Sequence, residues 1–374
     1  MSDIFHIEDL VRVAKRENNN KRAYLYVNPL QGKHIPANPI VFKRLCRQLA
    51  AQINNRYPAD RILVIGFAET ATAIALETAM SLDNAVYVEC TTREDNESSE
   101  FSYFTESHSH ATEQRIDTKN YKDIVRNVDR VVFVEDEVTT GNTIMKLVNI
   151  LKSNFDGGLA AFTISSILNS MSRERENALA GLGIECIYVA KLPFEYNIET
   201  INGVAGCNDT LWNDEGRPEC NIVVRNINVN INQRELNLVC QYRKQVNYYV
   251  EKVLSDLKNV LRGRVLVLGT EEFMHPAIHV AAAIADSNLC ESVKTHSTTR
   301  SPIIPSTDEG YPLRNRSVCA SVYEHGRTTY LYNLDCYDVV VLTTDAPDER
   351  NYNDICNALA SAGNRMIYIF NWRR

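Results

Sequence analysis

Short apolar runs alternate with helical patterns through the first two hundred residues, and this alternation constrains the fold more than any other feature. The runs are rich in Val, Ile and aromatic residues, as strands buried on both faces of a parallel sheet are. They are RILVIGF (61–67), AVYVECT (85–91), RVVFVED (130–136), AAFTISSIL (160–168) and ECIYVAKL (185–192), with helical patterns near 69–82, 142–154 and 173–182. The order predicts an α/β fold with a doubly wound parallel sheet. Ligands of such sheets bind at the carboxyl ends of the strands, so the residues that follow each run are the candidate site residues.

Chain length and a change of pattern predict two domains. A chain of 374 residues exceeds the usual size of one hydrophobic core. Around 200–235 the pattern gives way to a segment rich in Gly, Asn, Asp and Pro, which is typical of a linker or an exposed excursion. NIVVRNINVNINQREL then indicates an exposed strand or hairpin arm, and a helix is expected at 246–261. We predict a first domain over 1–205, a linker or excursion over 206–235, and a second α/β domain over 236–374.

The second domain repeats the pattern of the first in weaker form. Residues 264–302 lay out a strand, a Gly turn, a helix, a strand and TTR, as residues 61–94 do. The spacing from the turn glycine to the arginine is 27 residues for Gly66 and Arg93, and 31 for Gly269 and Arg300. A degenerate internal duplication explains this spacing. The alternative is that any two strand–helix–strand units share it.

Composition excludes several classes of protein. The net charge of −7 argues against a general nucleic-acid binder, which carries a basic excess. No apolar run reaches the roughly 18 residues of a membrane span, and the N-terminal residues do not resemble a secretion signal. The ten cysteines are scattered singly, which favours reduced thiols. We therefore expect a cytoplasmic protein without membrane or nucleic-acid partners.

The segment VVFVEDEVTTGNT (131–143) carries the strongest chemical signal. Its apolar run ends at Val134, and the acidic pair Glu135 and Asp136 follows at the carboxyl end of the predicted strand. The turn that leads into the next helix comprises Thr139, Thr140, Gly141, Asn142 and Thr143. Backbone N–H groups and hydroxyls above a helix N-terminus favour a phosphate, while adjacent carboxylates accept hydrogen bonds from a vicinal diol. A ribose 5-phosphate satisfies both halves of this motif.

This arrangement resembles the phosphoribosyl pyrophosphate signature of type I phosphoribosyltransferases. The resemblance implies that Glu135 and Asp136 hold the ribose and that residues 139–143 bind the 5-phosphate. It assigns the pyrophosphate to the turn after the strand at 61–65, which comprises Gly66, Phe67, Ala68, Glu69, Thr70 and Ala71. Arg93 follows the next strand and is either a bidentate ligand of the pyrophosphate or a solvated loop residue.

The polar stretch 94–116 is longer than most connections in compact domains. In the resemblance it corresponds to the flexible catalytic loop that covers the substrates and excludes water. His108 and His110 contact the pyrophosphate or the base, bind a metal, or are incidental. The stretch is acidic before its histidines, unlike the basic loop of orotate-type enzymes, so we do not expect orotate as the acceptor.

The resemblance extends to one family. NPLQGKHIP (28–36), GFAETAT (66–72), HSHAT (108–112) and VEDEVTTGNT (134–143) together are similar to the phosphoribosyltransferase family whose C-terminal partner is named the TRSP domain. Residues 299–302 spell that name. The resemblance associates the family with tellurium-resistance-type gene clusters and a proposed nucleotide-like biosynthesis. It does not give the acceptor.

Several further residues are candidates for substrate contacts. Lys33 and His34 either form a hood over the incoming base or belong to a simple N-terminal turn. Arg300 and Ser301 lie after a strand of the second domain and indicate a second ligand site or an interaction surface. His275 and His279 lie one helical turn apart, a spacing that suits a metal or a polar helix start. The second domain lacks the TTGxT turn, so we predict that it does not bind phosphoribosyl pyrophosphate as the first does.

The predicted activity is transfer of ribose 5-phosphate from phosphoribosyl pyrophosphate to an unknown base-like acceptor, with release of pyrophosphate. Mg²⁺ is the expected cofactor, held near Glu135 and Asp136 through ribose hydroxyls and water, because it prefers oxygen ligands. A homodimer is possible by analogy with the superfamily. The alternatives are a phosphorylase-type reaction on a ribose phosphate, and a non-catalytic protein that senses phosphoribosyl pyrophosphate or forms a complex.

Overall fold

A computed structural model describes residues 5–19, 22–94, 101–105, 113–118, 121, 124, 126–154, 160–193, 195–209, 219–347 and 352–374. The chain divides into two compact units. Unit 1 comprises Met1–Ile7, Lys43–Tyr196 and Ile231–Lys244, and unit 2 comprises Glu8–Phe42, Asn197–Asn230 and Gln245–Arg374.

The helices of the described residues are α1 (Ile7–Leu10), α2 (Pro39–Arg56), α3 (Thr72–Ser81), α4 (Asn142–Asn154), α5 (Arg173–Gly181), α6 (Val239–Leu257), α7 (His275–Asp286) and α8 (Asn353–Ser361), with a 3-10 turn at Ile198–Ile201. The strands are β1 (Arg12–Lys15), β2 (Tyr24–Val27), β3 (Ile62–Gly66), β4 (Ala85–Cys90), β5 (Phe101–Thr105), β6 (Glu113–Asp117), β7 (Arg130–Val138), β8 (Ala161–Asn169), β9 (Glu185–Lys191), β10 (Asn221–Asn228), β11 (Asn237–Leu238), β12 (Arg264–Gly269), β13 (Ser292–Ser297), β14 (Arg316–Ala320), β15 (Thr328–Tyr332), β16 (Val339–Thr344) and β17 (Met366–Arg373).

Unit 1 is built on a six-stranded sheet in the order β11-β4-β3-β7-β8-β9. Its five long strands are parallel, and the short β11 pairs antiparallel with β4. The five strands and three helices predicted for this half are confirmed within a few residues at each end. Helix α4 packs on the sheet because its apolar residues recur along one face, at positions buried in the core: Ile144, Leu147, Val148 and Leu151. Each such burial contributes about 1.5–3 kcal/mol.

Unit 2 is built on a five-stranded, all-parallel sheet in the order β10-β17-β16-β12-β13. Four consecutive strands of each unit's main sheet share one spatial order. Counted along the chain from β3 and from β12, the order is second, first, third and fourth, as β4-β3-β7-β8 and as β13-β12-β16-β17. An internal duplication predicts this agreement, although the fifth strands differ. Strand β9 follows β8 along the chain, whereas β10 precedes the other strands of its sheet.

Residues 221–228 form the edge strand β10, which confirms the exposed strand predicted for this segment; an eight-residue register with β17 satisfies its backbone groups. One part of the predicted organisation differs from the structure. Residues 8–42 belong to unit 2 and not to the first predicted domain. The backbone explains this, because Arg16 bridges to Ile303 and Ala37 to Thr295.

One local feature also differs from the prediction. Helix α6 begins at Val239, seven residues before the predicted start, because the buried spacing continues upstream through Tyr242 and Val246. The ten cysteines are free, in agreement with the predicted reduced thiols. Among the described residues, no helix is both long and apolar enough to cross a lipid bilayer.

Candidate functional site

Three neighbouring parallel strands of unit 1 end at the same edge of the sheet. They are β4, β3 and β7, and β3 pairs with both of the others. The segments that follow them are 91–94, 67–71 and 139–141. Because parallel strands share one carboxyl edge, the three predicted substrate-binding segments lie side by side.

The turn between β7 and α4 has the conformation expected of an anion site. Strand β7 continues through Glu135 and Asp136, and both side chains are half-buried. Gly141 adopts a φ of 68°, in the left-handed region that favours glycine. Its carbonyl accepts the first helical hydrogen bond, from Met145 N at 2.9 Å. Helix α4 then begins at Asn142, whose N–H donates to Thr140 Oγ1 at 3.3 Å, so the first turn of the helix and its positive dipole end lie at this edge.

Arg175 of α5 makes two hydrogen bonds to this turn, a role that was not predicted from the sequence. Its Nε donates to the carbonyl of Thr140 at 2.8 Å, and its Nη2 donates to Asn142 Oδ1 at 3.0 Å. Ser172 caps α5 by accepting from the N–H of Arg175 at 3.2 Å, which fixes the start of the helix. Within the described part of the chain Arg175 has no carboxylate partner, so a positive charge lies beside the turn.

Close packing and buried side chains hold the backbone of the turn after β3 in place. Gly66 is required there, because a Cβ would lie 2.4 Å from that of Ala75. The backbone of Ala68 is bound on both sides: its N–H donates to Thr91 Oγ1 at 2.8 Å, and its carbonyl accepts from Gln114 Nε2 at 2.9 Å. Thr91 also donates to Gln114 Oε1 at 2.5 Å, and both side chains are buried. These two residues, which the sequence did not suggest, position the predicted pyrophosphate turn.

The residues of this turn differ in what their side chains can do. Phe67 belongs to the predicted pyrophosphate turn, and its ring is buried in the core 6.2 Å from that of Phe133, so only its backbone is left for a ligand. Glu69 is buried, and Thr72 donates to its carbonyl at 3.1 Å. Arg93, directly after β4, is half-buried beside Thr92, whose backbone exchanges hydrogen bonds with Arg115.

The stretch 94–116 contains more structure than the predicted loop. Strands β5 and β6 pair antiparallel, from Phe101 with Asp117 to Thr105 with Glu113. The aromatic residues of FSYF favour a strand even in a polar stretch. His108 and His110 lie outside the described residues, and their predicted roles stay predictions.

The predicted hood residues lie in unit 2. Lys33 is fully buried, and its Nζ donates to the carbonyls of Glu271 at 2.6 Å and Thr298 at 3.1 Å. His34 is also buried. Lys33 therefore lies at the carboxyl ends of β12 and β13, where the other predicted second-site residues, Arg300 and Ser301, are found. A contact of Lys33 with an incoming base stays a prediction.

Two histidine environments in unit 2 differ from each other. His275 opens α7, and its ring centroid lies 4.5 Å from that of His279. Their metal role stays a prediction. His296 on β13 is fully buried between the carbonyls of Gly32 and Tyr332, and burial lowers its pKa to about 4.

One carboxyl group near the candidate site is held in an apolar setting. Glu89 on β4 is fully buried, and this burial raises its pKa well above the ordinary value. Its carboxyl accepts from the Tyr121 hydroxyl at 2.6 Å and from Asp117 N at 3.0 Å. Glu89 therefore ties β6 and Tyr121 to the sheet.

Comparison with known families gives two matches. A family model described as phosphoribosyl transferase matches residues 10–192. A second model, described as the TRSP domain C-terminal to that family, matches residues 237–359. No curated protein matches the chain.

Several solved structures resemble this chain at low similarity. Adenine phosphoribosyltransferase of Saccharomyces cerevisiae is 11% identical with a TM-score of 0.37, and the match covers 49% of this chain and 96% of that one. The Giardia lamblia enzyme, complexed with 9-deazaadenine, is 9% identical with a TM-score of 0.36, over 50% and 95% of the two chains. Mycobacterium tuberculosis orotate phosphoribosyltransferase, in complex with phosphoribosyl pyrophosphate, is 15% identical with a TM-score of 0.26, over 40% and 74%.

Proposed function

Because the chain belongs to the phosphoribosyl transferase family and continues into a TRSP domain, we propose that unit 1 transfers ribose 5-phosphate from phosphoribosyl pyrophosphate to a base-like acceptor. The chain is thus a transferase, and the acceptor is a small molecule that supplies a nucleophilic nitrogen. The observation that carries the proposal is the alignment of three binding segments at the ends of β4, β3 and β7.

The turn 139–143 suits the 5-phosphate. Gly141 brings the backbone close to the ligand, the hydroxyls of Thr139, Thr140 and Thr143 supply donors, and α4 contributes its positive end. Arg175 supplies a full positive charge at the turn and donates to the carbonyl of Thr140. The turn therefore supplies hydrogen-bond donors to the 5-phosphate, and the positive charge of Arg175 balances the negative charge of the phosphate.

The acidic pair suits the ribose. The carboxylates of Glu135 and Asp136 accept hydrogen bonds from vicinal hydroxyls. During transfer the bond from the anomeric carbon to the pyrophosphate oxygen breaks, and a bond to the acceptor nitrogen forms. Positive charge develops at the anomeric carbon, and the two carboxylates on the neighbouring hydroxyls stabilise it. The acceptor also releases a proton; the sequence shows no obvious general base for it, and His108 and His110 are the candidates.

The turn 66–71 with Arg93 suits the leaving pyrophosphate. Backbone N–H groups and the guanidinium offer donors to an anion that gains charge as the bond breaks. Thr91 and Gln114 fix the backbone of Ala68 from both sides, so the turn is positioned before the substrate binds. Such preorganisation is the main source of rate acceleration in transfer reactions in which the protein forms no covalent bond to the substrate.

The donor set of this edge fits Mg²⁺, because the half-buried carboxylates of Glu135 and Asp136 are oxygen ligands next to a phosphate turn. These two residues would hold the ion through hydroxyls or water. When bound, the ion neutralises charge that builds on the pyrophosphate.

The test is turnover by the purified chain. The protein is incubated with phosphoribosyl pyrophosphate, Mg²⁺ and a metabolite extract, and pyrophosphate release and new ribosylated masses are followed. We expect both to appear with the native chain and to fall together in Asp136→Asn. Asp60→Asn, a change at the opposite edge of the sheet, is the matched control. Tight binding of phosphoribosyl pyrophosphate without turnover of any acceptor would refute the transferase and favour a sensor.

A further inference from the structure

Strand β10 is an open edge of the main sheet of unit 2. It pairs with β17 over eight residues in one continuous register, and among the described residues no strand pairs with its other side. Natural proteins usually protect such an edge with a proline, a bulge or a lysine. The strand sequence NIVVRNIN contains neither proline nor lysine, and the continuous register contains no bulge. The edge is therefore regular enough to accept a further strand.

The backbone groups that point away from the sheet belong to the even-numbered residues of β10. The N–H groups of Asn221 and Val229 donate to backbone carbonyls at the start and the end of the β17 segment, at 2.7 Å and 2.6 Å. Since the N–H and C=O groups of successive residues point to opposite sides of a strand, every odd-numbered residue between them also faces β17. The N–H and C=O groups of Ile222 and Val224 therefore point to the open edge.

The same two residues carry exposed apolar side chains. Ile222 and Val224 are 42% and 47% exposed, and they lie on one face of the sheet because they are two positions apart. Arg225, the only charged residue of β10, points to the opposite face, where its Nε lies 3.6 Å from Asp256 Oδ2 of α6. Outward-pointing backbone groups and an uncharged apolar pair thus coincide at one place on the edge.

We propose that β10 pairs with β10 of a second copy of this chain, antiparallel, about a twofold axis through Val223. In this register Ile222 lies opposite Val224 of the partner subunit, and the symmetry repeats that pair. Each of the two pairs exchanges two backbone hydrogen bonds, because the outward-pointing groups of both residues meet. The four apolar side chains then form one cluster across the axis. This edge supplies both halves of the contact, as an isologous twofold interface requires.

Side chains select this register over its neighbours. An axis through Val224 would place Ile222 opposite Asn226 of the partner subunit, an apolar side chain against an amide. An axis through Arg225 would place two guanidinium groups opposite each other, and like charges in that position are destabilising. An axis through Ile222 would pair only three residues within the bounds of β10. In the proposed register Arg225 lies opposite the uncharged Asn221 of the partner subunit.

The first test is sedimentation equilibrium of the full chain over a range of concentrations. A contact between two strands is small beside the roughly 1,200–2,000 Å² of a stable interface, so the association at β10 is expected to depend on concentration. Ile222→Asp should weaken it roughly 10- to 100-fold, because each dimer then has two carboxylates in its apolar cluster. Leu289→Asp is the matched control, since Leu289 is 45% exposed and lies outside the strands of unit 2. Equal association of the native chain and Ile222→Asp overturns the proposal.

The second test reads the register and does not depend on the stability of a charged variant. Val223 lies opposite Val223 of the partner subunit in a pair without backbone hydrogen bonds, where the Cα atoms are about 4.5 Å apart, within disulfide range. Val223→Cys should therefore form a covalent dimer under mild oxidation. Val224→Cys should not, because a diagonal separation of about 7–8 Å lies beyond that range. The native chain, oxidised in the same way, controls for its ten cysteines.

Peptide mapping by mass spectrometry identifies the cross-link, and a bond between two copies of position 223 is the expected result. No cross-link in Val223→Cys, or an equal cross-link in Val224→Cys, overturns the proposal. This inference does not rest on the proposed transfer reaction, since every measurement is made without substrate.

Discussion

Replacement of Arg175 by Gln is the most direct test of the proposed phosphate site in unit 1. The change removes a positive charge from behind the turn and keeps a side chain that can still donate to the Thr140 carbonyl. The guanidinium is half-buried. Its interaction with a bound phosphate therefore lies between the exposed limit of about 0–1 kcal/mol and the charge-assisted limit of about 1.5–3 kcal/mol. We take about 1.5 kcal/mol, which weakens binding roughly tenfold.

The assay is calorimetric titration of ribose 5-phosphate into the full chain at several pH values. The phosphate loses its second proton near a pH of about 6. The native protein should therefore bind more tightly as the pH rises through this range, since Arg175 favours the dianion. This increase in affinity with pH should be smaller in Arg175→Gln. It should be partly restored in Arg175→Lys, which has the positive charge but not the planar guanidinium.

Arg173→Gln is the matched control, because Arg173 opens the same helix, is exposed and makes no hydrogen bond to the turn among the described residues. It should bind ribose 5-phosphate as the native chain does. Equal losses in the two variants would refute a specific role for Arg175 and indicate a general effect of charge on α5. An unchanged pH dependence in Arg175→Gln would refute the reasoning from charge.

Three further predictions concern stability. Gly66→Ala should destabilise the chain by about 1–3 kcal/mol, since its methyl group would meet that of Ala75 at 2.4 Å; an unchanged thermal midpoint would contradict this. Burial raises the pKa of Glu89. In the folded chain this carboxyl therefore keeps its proton at pH values above the ordinary pKa of glutamate, where it is ionised in the unfolded chain. Stability should therefore fall as the pH rises above that value, and urea unfolding should show a flatter pH dependence in Glu89→Gln. His296 has the opposite effect on the pH dependence of stability. Its pKa is about 4 in the folded chain, so the folded chain does not bind a proton that the unfolded chain binds below a pH of about 6.5. Its contribution of about 3 kcal/mol should be present near neutral pH and lost as the pH falls towards 4, and His296→Gln should remove that loss.

The pattern of apolar runs was sufficient to predict the strands of the first sheet. Period and composition are local properties, and they locate the ends of β3 and β4 at Gly66 and Cys90 to within one residue, whereas β7 continues to Val138, two residues past its predicted end. The TTGxT turn was also readable, because a glycine in the left-handed region and a helix start have local signals.

Residues that position the site but lie far from it along the sequence could not be predicted. Arg175 lies 35 positions from the Thr140 carbonyl that it binds, and Gln114 lies 46 positions from that of Ala68. Such contacts depend on how strands and helices pack, which no local period encodes. The same reason applies to Lys33, whose partners lie 238 and 265 positions away in unit 2.

The position of β10 has a consequence during synthesis of the protein. Its register partner in the sheet, β17, lies 145 residues later in the chain, as the pair of Asn226 and Asn371 shows. At about 5–20 residues per second, a ribosome needs roughly 7–30 s to deliver that partner. Throughout this interval Ile222 and Val224, which stay exposed even in the finished sheet, have no neighbouring strand of their own sheet to pair with. The nascent chain is therefore open to chaperones and to wrong pairing at this strand for longer than at any strand whose partner is adjacent in sequence.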